Sequence, residues 1–312
     1  MFDRNALPKA VTVYEVGARD GLQNESVVLP TQVKAQLIRQ LAGAGISAIE
    51  VASFVRPDLV PALADADELL AELSPLLPFH RMSALVPNQK GLDRALKTGL
   101  REIAVFASAT ESFAKANLNN SIEGSLAIFG PVIKQARAAG LQVRGYISMC
   151  FGDPWEGKVS ASKVVDVAER LFEDGITELS LGDTIGVATP GDVVDLLKAF
   201  DARGISRSLL AVHFHDTYGQ ALSNTLTALQ EGITTIDSSI GGLGGCPFAK
   251  SATGNLATED LVWQLHGLGI STGIDFTALL NTSRWLRDTT GMAIRSKAAI
   301  ALVDNKGMVE KK

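Results

Sequence analysis

The sequence predicts an α/β protein built as a closed (β/α)8 TIM barrel, with extra C-terminal helices packed on it. Three observations predict this. Short β-branched runs alternate strictly with amphipathic helical stretches, the pattern of a parallel sheet covered by helices. Eight such units fit in about 250 residues, which favours closure over an open sheet. No glycine-rich phosphate turn follows the first strand, which weighs against the doubly wound alternative.

The eight strand runs are Val11 to Val16, Ala48 to Ser53, Arg81 to Val86, Glu102 to Ser108, Gln142 to Ser148, Glu178 to Thr184, Leu209 to Asp216 and Thr234 to Ile240. Helical periodicity fills the gaps. In TQVKAQLIRQLAGAG, Val33, Leu37, Ile38 and Leu41 share one face and Gly45 ends the run. NQKGLDRALKTG and SASKVVDVAERLFEDG read the same way. In TPGDVVDLLKAFDARG, Thr189 offers a capping hydroxyl and Pro190 suits a first helical position. No linker or low-complexity segment divides the chain. A single domain is therefore expected over residues 1–312, with the barrel at about 11–270 and a helical extension at about 271–312.

Composition narrows the function. Of 312 residues, 46% are hydrophobic and 20% charged, ordinary values for a well-buried α/β protein. A formal charge of −5 leaves no electrostatic footprint for nucleic acid. No apolar run reaches the roughly 18 residues that a membrane span needs. The start, MFDRNALPKA, lacks the features of a secretory or mitochondrial signal, and the end, EKK, matches no retention address. Cys150 and Cys246 make no disulfide framework, and reduced thiols in a cytoplasmic protein are the expectation.

In a TIM barrel the chemistry sits at the C-terminal ends of the strands, and the polar residues gather there. Arg19, Asp20 and Gln23 follow strand one, Glu50 lies on strand two, Asp183 and Thr184 end strand six, and His213-Phe214-His215-Asp216 ends strand seven. Cys246 and Asn255 come after strand eight. Strand side chains at i and i+2 share a face. His213 and His215 therefore point together, and the apolar Val212 and Phe214 belong to the helix layer. Two histidines can simply satisfy interior hydrogen bonds. With Asp20 and Asn255 as oxygen donors at other strand ends, a divalent metal becomes the better reading. This mixed N/O set suits Mg2+ or Mn2+, and zinc or cobalt would also be accommodated. Cys246 follows Gly241, Gly242, Gly244 and Gly245, a composition suited to a mobile loop at the mouth. Cys150 reads as a small buried hydrophobe. Arg144 alternates with Tyr146 and Ser148. If it points inward it needs an acid, Glu50, Asp183 or Asp237, and an internal ion pair competes evenly with substrate contact. Arg19, beside a metal ligand, is placed to stabilise a developing oxyanion.

The stretches EVGARDGLQNE, IEVASFV, RGYIS…FGDPWEGKVS, SLGDTIGVATP, HFHDTYGQAL and GGLGGCPFAKSATGNLATEDLV resemble the 3-hydroxy-3-methylglutaryl-CoA lyase family from about Val13 to Gly269. The resemblance implies that Asp20, His213, His215 and Asn255 bind the metal and that Arg19 stabilises the enolate of the departing acetyl-CoA. It implies that Cys246 takes part in proton transfer and that Glu50, Asp183 and Gln23 support the site. Arg19, Gln23, Arg144 and Thr184 are the candidate substrate contacts. It also implies a homodimer acting on an acyl-CoA, in leucine catabolism, ketone-body formation or breakdown of a branched terpenoid acid. The chain departs from the family at Arg56-Pro57-Asp58-Leu59, at Met149-Cys150-Phe151-Gly152-Asp153 and at Ser26. These departures leave open a longer 3-alkyl substrate.

The implied reaction is a retro-Claisen cleavage. The tertiary hydroxyl loses a proton, to His213 or Asp20, and the thioester α-carbon leaves as an enolate that an acid must protonate, with Cys246 as the candidate. Related condensing synthases carry longer C-terminal regions, and related aldolases lack the glycine-rich cysteine loop. A non-catalytic metal-binding scaffold would have no use for Arg19 and Cys246.

Overall fold

Eight parallel strands close on one another in sequence order, with the eighth pairing the first. They are β1 (Thr12–Glu15), β2 (Ala48–Ser53), β3 (Arg81–Leu85), β4 (Glu102–Ser108), β5 (Gln142–Ser148), β6 (Glu178–Asp183), β7 (Leu210–Phe214) and β8 (Thr235–Ser238). The computed structural model describes residues 7–245 and 254–303. Each predicted strand is present, with ends within two residues of the expected ones.

Helices α1 (Thr31–Gly43), α2 (Ala66–Leu73), α3 (Gln89–Ala95), α4 (Glu111–Leu118), α5 (Ile122–Ala138), α6 (Ala161–Asp174), α7 (Pro190–Ala202), α8 (Ala221–Gln230) and α9 (Thr258–Leu268) surround the barrel. The apolar core lies between the two layers. Ile49, Val51, Val105, Val143, Leu179, Val212 and Phe214 face outward from the strands and bury against Leu37, Ile38, Leu41, Leu171, Leu196 and Phe200 of the helices. Local signals set the helix ends. Thr189 N donates to Asp192 at 3.1 Å at the start of α7, and Gly175 stops α6 in the left-handed conformation. After α9 come α10 (Phe276–Thr290), packed on α1 and α9, and α11 (Lys297–Val303), packed on α9 and α10.

The inside of the barrel is polar where many barrels are apolar. Tyr14, Glu50, Ser83, Glu102, Arg144, Ser180 and Asp237 are all buried there. At the N-terminal end Arg81 pairs with Glu102 at 2.7 Å and with Glu178 at 3.0 Å, and Tyr14 donates to Glu102 at 2.8 Å. Interior charges persist only when paired in this way.

Three features that connect the strands carry no signature in the strand and helix periods. A π-helical turn, Gly17–Gly21, follows β1. Two helices, α4 and α5, connect β4 to β5. A short antiparallel ribbon, Gly152–Asp153 with Gly157–Lys158, follows β5.

Candidate active site

The π-helical turn is the first element of the site. Gly21 N donates to Val16 O at 3.1 Å, five residues back. Such wide turns recur at functional positions, and this one lets the consecutive residues Arg19 and Asp20 both face the barrel mouth. Arg19 Nε donates to Glu50 Oε2 at 2.6 Å, and Arg19 Nη1 donates to Asp20 Oδ1 at 2.9 Å and to Gln23 Oε1 at 3.5 Å. Burial works against the Arg19 charge, and Glu50 and Asp20 more than restore it. Glu50 is fully buried, and that burial holds its carboxyl above the usual range despite Arg19.

The second element is β7. His213 and His215 share a face as the alternation requires, with ring centroids 5.3 Å apart. Their nitrogens and an Asp20 carboxylate oxygen lie within 4.8 Å of one another. Asn255 completes the group from the far side. Its Nδ2 donates to Asp20 Oδ2 at 2.8 Å and to Leu243 O at 3.0 Å, which leaves Oδ1 buried and without a partner among the described residues. Gly244 permits this approach. It has φ +99°, and a Cβ there would lie 2.7 Å from Asn255 Nδ2.

These residues fit a divalent cation. A buried amide oxygen with no partner beside a carboxylate and two imidazoles is a donor set awaiting a Lewis acid. The protonation states of His215 and Asp20 suit ligation, whereas at His213 burial is outweighed by Asp237 and Asp20, which raise the imidazole, so a cation at the site would replace that proton. Burial, and then the neighbouring His213, push His215 down to about 3, so its ring is neutral. Burial opposes the Asp20 charge, but Arg19 and His213 outweigh it and hold this carboxyl below its usual range. Neutral imidazole and ionised carboxylate are the ligating forms.

Above the four residues opens a cavity of about 680 Å3, of the size that holds a small-molecule ligand. Arg19, Asp20, Gln23, Thr184, His213 and His215 line its floor, and Asn117, Asn120 and Ile128 of the α4–α5 region form one wall. Thr184 Oγ1 also accepts from Met149 N at 2.9 Å. Other expected residues lie around the cavity rather than in it. Glu50 sits behind Arg19. Asp183 accepts from Val187 N at 2.9 Å and Ala188 N at 3.1 Å, so it shapes the turn after β6, and burial raises its carboxyl to about 6.

Of the two readings of Arg144, the internal ion pair fits its surroundings: it is fully buried, does not line the cavity, and donates to Asp237 at 2.6 Å and Glu178 at 2.6 Å. Asp237 is its hydrogen-bond partner and Glu50 and Asp183 are not. Glu178 carries no signal in the sequence, because only the register places it beside Arg144. Tyr146 and Ser148, on the same face of β5, do reach the cavity. Alternation with Arg144 was their only signal. Cys150 is buried against Ile147 O at 3.1 Å, and burial pushes its thiol well up, in keeping with a packing role. Cys246 lies outside the described residues; Gly245, just before it, lines the cavity.

Comparison with known proteins gives a consistent result. The HMGL-like family model matches residues 10–286. A mitochondrial hydroxymethylglutaryl-CoA lyase of Bos taurus is 49% identical over 294 residues, 94% of this chain and 90% of the relative. A cytoplasmic 3-hydroxy-3-methylglutaryl-CoA lyase of Rattus norvegicus is 47% identical over 95% of this chain and 86% of its own length. Among solved structures, the hydroxymethylglutaryl-CoA lyase of Pseudomonas aeruginosa superposes with a TM-score of 0.92 at 47% identity, covering 96% of this chain and 99% of that one. An HMG-CoA lyase from Acinetobacter baumannii, solved with coenzyme A and 3-methylmalate, superposes with a TM-score of 0.89 at 35% identity over the full length of both. With the family model spanning most of the barrel and its helices, the chain belongs to the HMGL-like family, that of the hydroxymethylglutaryl-CoA lyases.

Proposed function

We propose that this protein is a carbon–carbon lyase that cleaves 3-hydroxy-3-methylglutaryl-CoA to acetyl-CoA and acetoacetate. One observation carries the reading: Arg19, Asp20, His213 and His215 converge at a cavity large enough for an acyl thioester, with Asn255 bonded to Asp20. A divalent cation held by Asp20, His213, His215 and Asn255, proposed as Mg2+ or Mn2+, would supply the Lewis acidity that lowers the pKa of the tertiary hydroxyl.

The side chains divide the remaining work. Asp20, which faces the cavity, takes the hydroxyl proton, because an imidazole bound to the cation through one nitrogen and protonated on the other has no lone pair to accept it. Arg19 is clamped by Glu50 and Asp20, and its five N–H donors exceed those contacts. Nη2 also pairs with Glu50 at 2.5 Å, and its second N–H is the donor proposed to meet the enolate oxygen as the C–C bond breaks. Cys246 follows Gly245 in sequence and is the proposed acid that protonates the acetyl-CoA carbon. The polar wall of Asn117 and Asn120 suits the amides of a pantetheine arm. A coenzyme A-bound relative supports an acyl-CoA substrate. Our reading also takes the protein to be a cytoplasmic homodimer. The relative described as cytoplasmic supports that location, and family resemblance supports the dimer.

The test is a coupled assay for acetyl-CoA and acetoacetate with pure protein, metal and 3-hydroxy-3-methylglutaryl-CoA. Stoichiometric release of both products is expected, and no release with Mg2+, Mn2+, Zn2+ or Co2+ would overturn the reading.

A further inference from the structure

Asp237 is buried on β8, does not line the cavity, and has no part in the chemistry above. Its position in the sheet is nevertheless specific. Parallel pairing sets Asp237 beside His213, and its Oδ2 lies 3.3 Å from His213 Nδ1, an electrostatic contact rather than a formed hydrogen bond. Among the described residues no hydrogen-bond acceptor serves that nitrogen. Among the described residues, Asp237 is the carboxylate in contact with it.

The carboxylate is itself held firmly. Arg144 donates from Nη2 to Oδ1 at 2.6 Å and from Nη1 to Oδ2 at 3.2 Å, a two-point grip, and Ser180 Oγ donates to Oδ2 at 2.8 Å. Arg144 cannot turn away. Its Nε is bound to Glu178, and its guanidinium lies over the Tyr14 ring at 3.9 Å and the Tyr146 ring at 4.7 Å. A continuous chain of packed, charged groups thus runs from the barrel interior to one imidazole of the site.

We propose that Asp237, locked by Arg144, is a positioning residue that keeps the proton of His213 on Nδ1 and thereby turns Nε2 toward the metal. The inference rests on the reading of His213 as a ligand. Imidazole ligands depend on the group that receives their second nitrogen, and loss of such a group lowers metal affinity about 10- to 100-fold. The geometry also explains a fully buried arginine in the barrel of a metal enzyme: it fixes the carboxylate that fixes the ligand.

Two measurements test it. The first uses the wild-type protein loaded with Mg2+ and labelled with 15N-histidine. With four histidines in the chain, His213 is assigned by the resonances missing in His213→Gln. Its Nδ1 is expected in the protonated, pyrrole-like range, and a proton on Nε2 would overturn the proposal without any further variant. The second is Mn2+ binding followed by electron paramagnetic resonance in Asp237→Asn and in Arg144→Met/Asp237→Leu. The double variant removes both buried charges together, which cores tolerate better than removing one. Mn2+ affinity is expected to fall about 10- to 100-fold in folded protein. Wild-type affinity in either folded variant would overturn the proposal. His213→Ala separates the two levels. If it binds Mn2+ normally, the ligand assignment itself fails. If it loses binding while both Asp237 variants keep it, only the present inference fails.

Discussion

Arg19 and Asp20 are neighbours in sequence, yet their contacts point to different tasks. Arg19 is pre-set by Glu50 at 2.6 Å and Asp20 at 2.9 Å, which suits charge that develops only as the bond breaks. Arg19→Met should therefore lower kcat by about two to three orders of magnitude and leave KM within a small factor. Steady-state kinetics decide this, and a pure KM effect would mean that Arg19 only binds substrate. The two thiols differ as sharply. Cys150 is buried and its thiol is held protonated, so alkylation should inactivate through Cys246 alone. Peptide mapping of the modified protein checks the site, and Cys246→Ala should be nearly inactive while still binding Mn2+. Arg56, a departure from the family, has a side chain 69% exposed at the cavity edge and pairs with Asp58. Arg56→Ser should therefore leave kcat/KM for the 3-methyl substrate nearly unchanged. A longer 3-alkyl homologue should be cleaved within roughly two orders of magnitude of the methyl substrate, because a single apolar contact discriminates weakly. A side-by-side assay of both esters tests this, and rapid cleavage of the longer ester alone would overturn the choice of substrate.

At the scale of elements, two buried glutamates tie the mouth segments together. Glu15, ending β1, accepts from Gly17 N at 2.7 Å, Ile240 N at 2.9 Å and Thr258 Oγ1 at 2.6 Å. It thereby joins the π-helical turn to the segment after β8 and to the start of α9. Glu259, in α9, accepts from Gly241 N at 3.0 Å. Burial raises each carboxyl to about 7. Folding therefore takes up protons between about pH 4.5 and 7, where the unfolded chain has already released them. This contribution is complete below pH 4.5 and is lost as the pH rises through 7. It is of order 3 kcal/mol per group at most. Glu15→Gln and Glu259→Gln should each flatten the fall of Tm between pH 5 and 7, measured by scanning calorimetry. An unchanged slope would show that these acids are ionised in the native state. Asp237 acts in the opposite sense. Burial opposes its charge, but Arg144 holds it down at about 2, so its contribution disappears only as the pH falls below 4 toward 2.

At the scale of the whole molecule, the four proposed ligands come from three separate places in the barrel. The described pair most distant in sequence, Asp20 and Asn255, is 235 positions apart and joined at 2.8 Å. A cation bridging such segments binds the folded chain far better than the unfolded one. Exhaustive chelation should abolish cleavage, and added Mg2+ or Mn2+ should restore it and raise Tm in a concentration-dependent way. Full turnover by protein shown metal-free by elemental analysis would remove the metal from the mechanism.

Much of this was already legible in the chain. Short β-branched runs set between amphipathic stretches marked every strand to within two residues, because residue type and the helical period of the flanking segments are local properties that need no tertiary knowledge. Strand parity placed His213 and His215 on one face and Val212 and Phe214 on the other. The motifs around Arg19, Asp20 and Asn255 were specific enough to imply a metal site. Parity does not say which residue of the next strand stands at the same level. That depends on the stagger with which the barrel closes. Only closure set Asp237 beside His213 and Glu178 beside Arg144, and so turned a candidate substrate arginine into an internal strut. Nor does any local period announce the π-helical turn. Its hydrogen bond spans five residues, and its role in aiming Arg19 and Asp20 exists only where Glu50 of the adjoining strand meets the guanidinium.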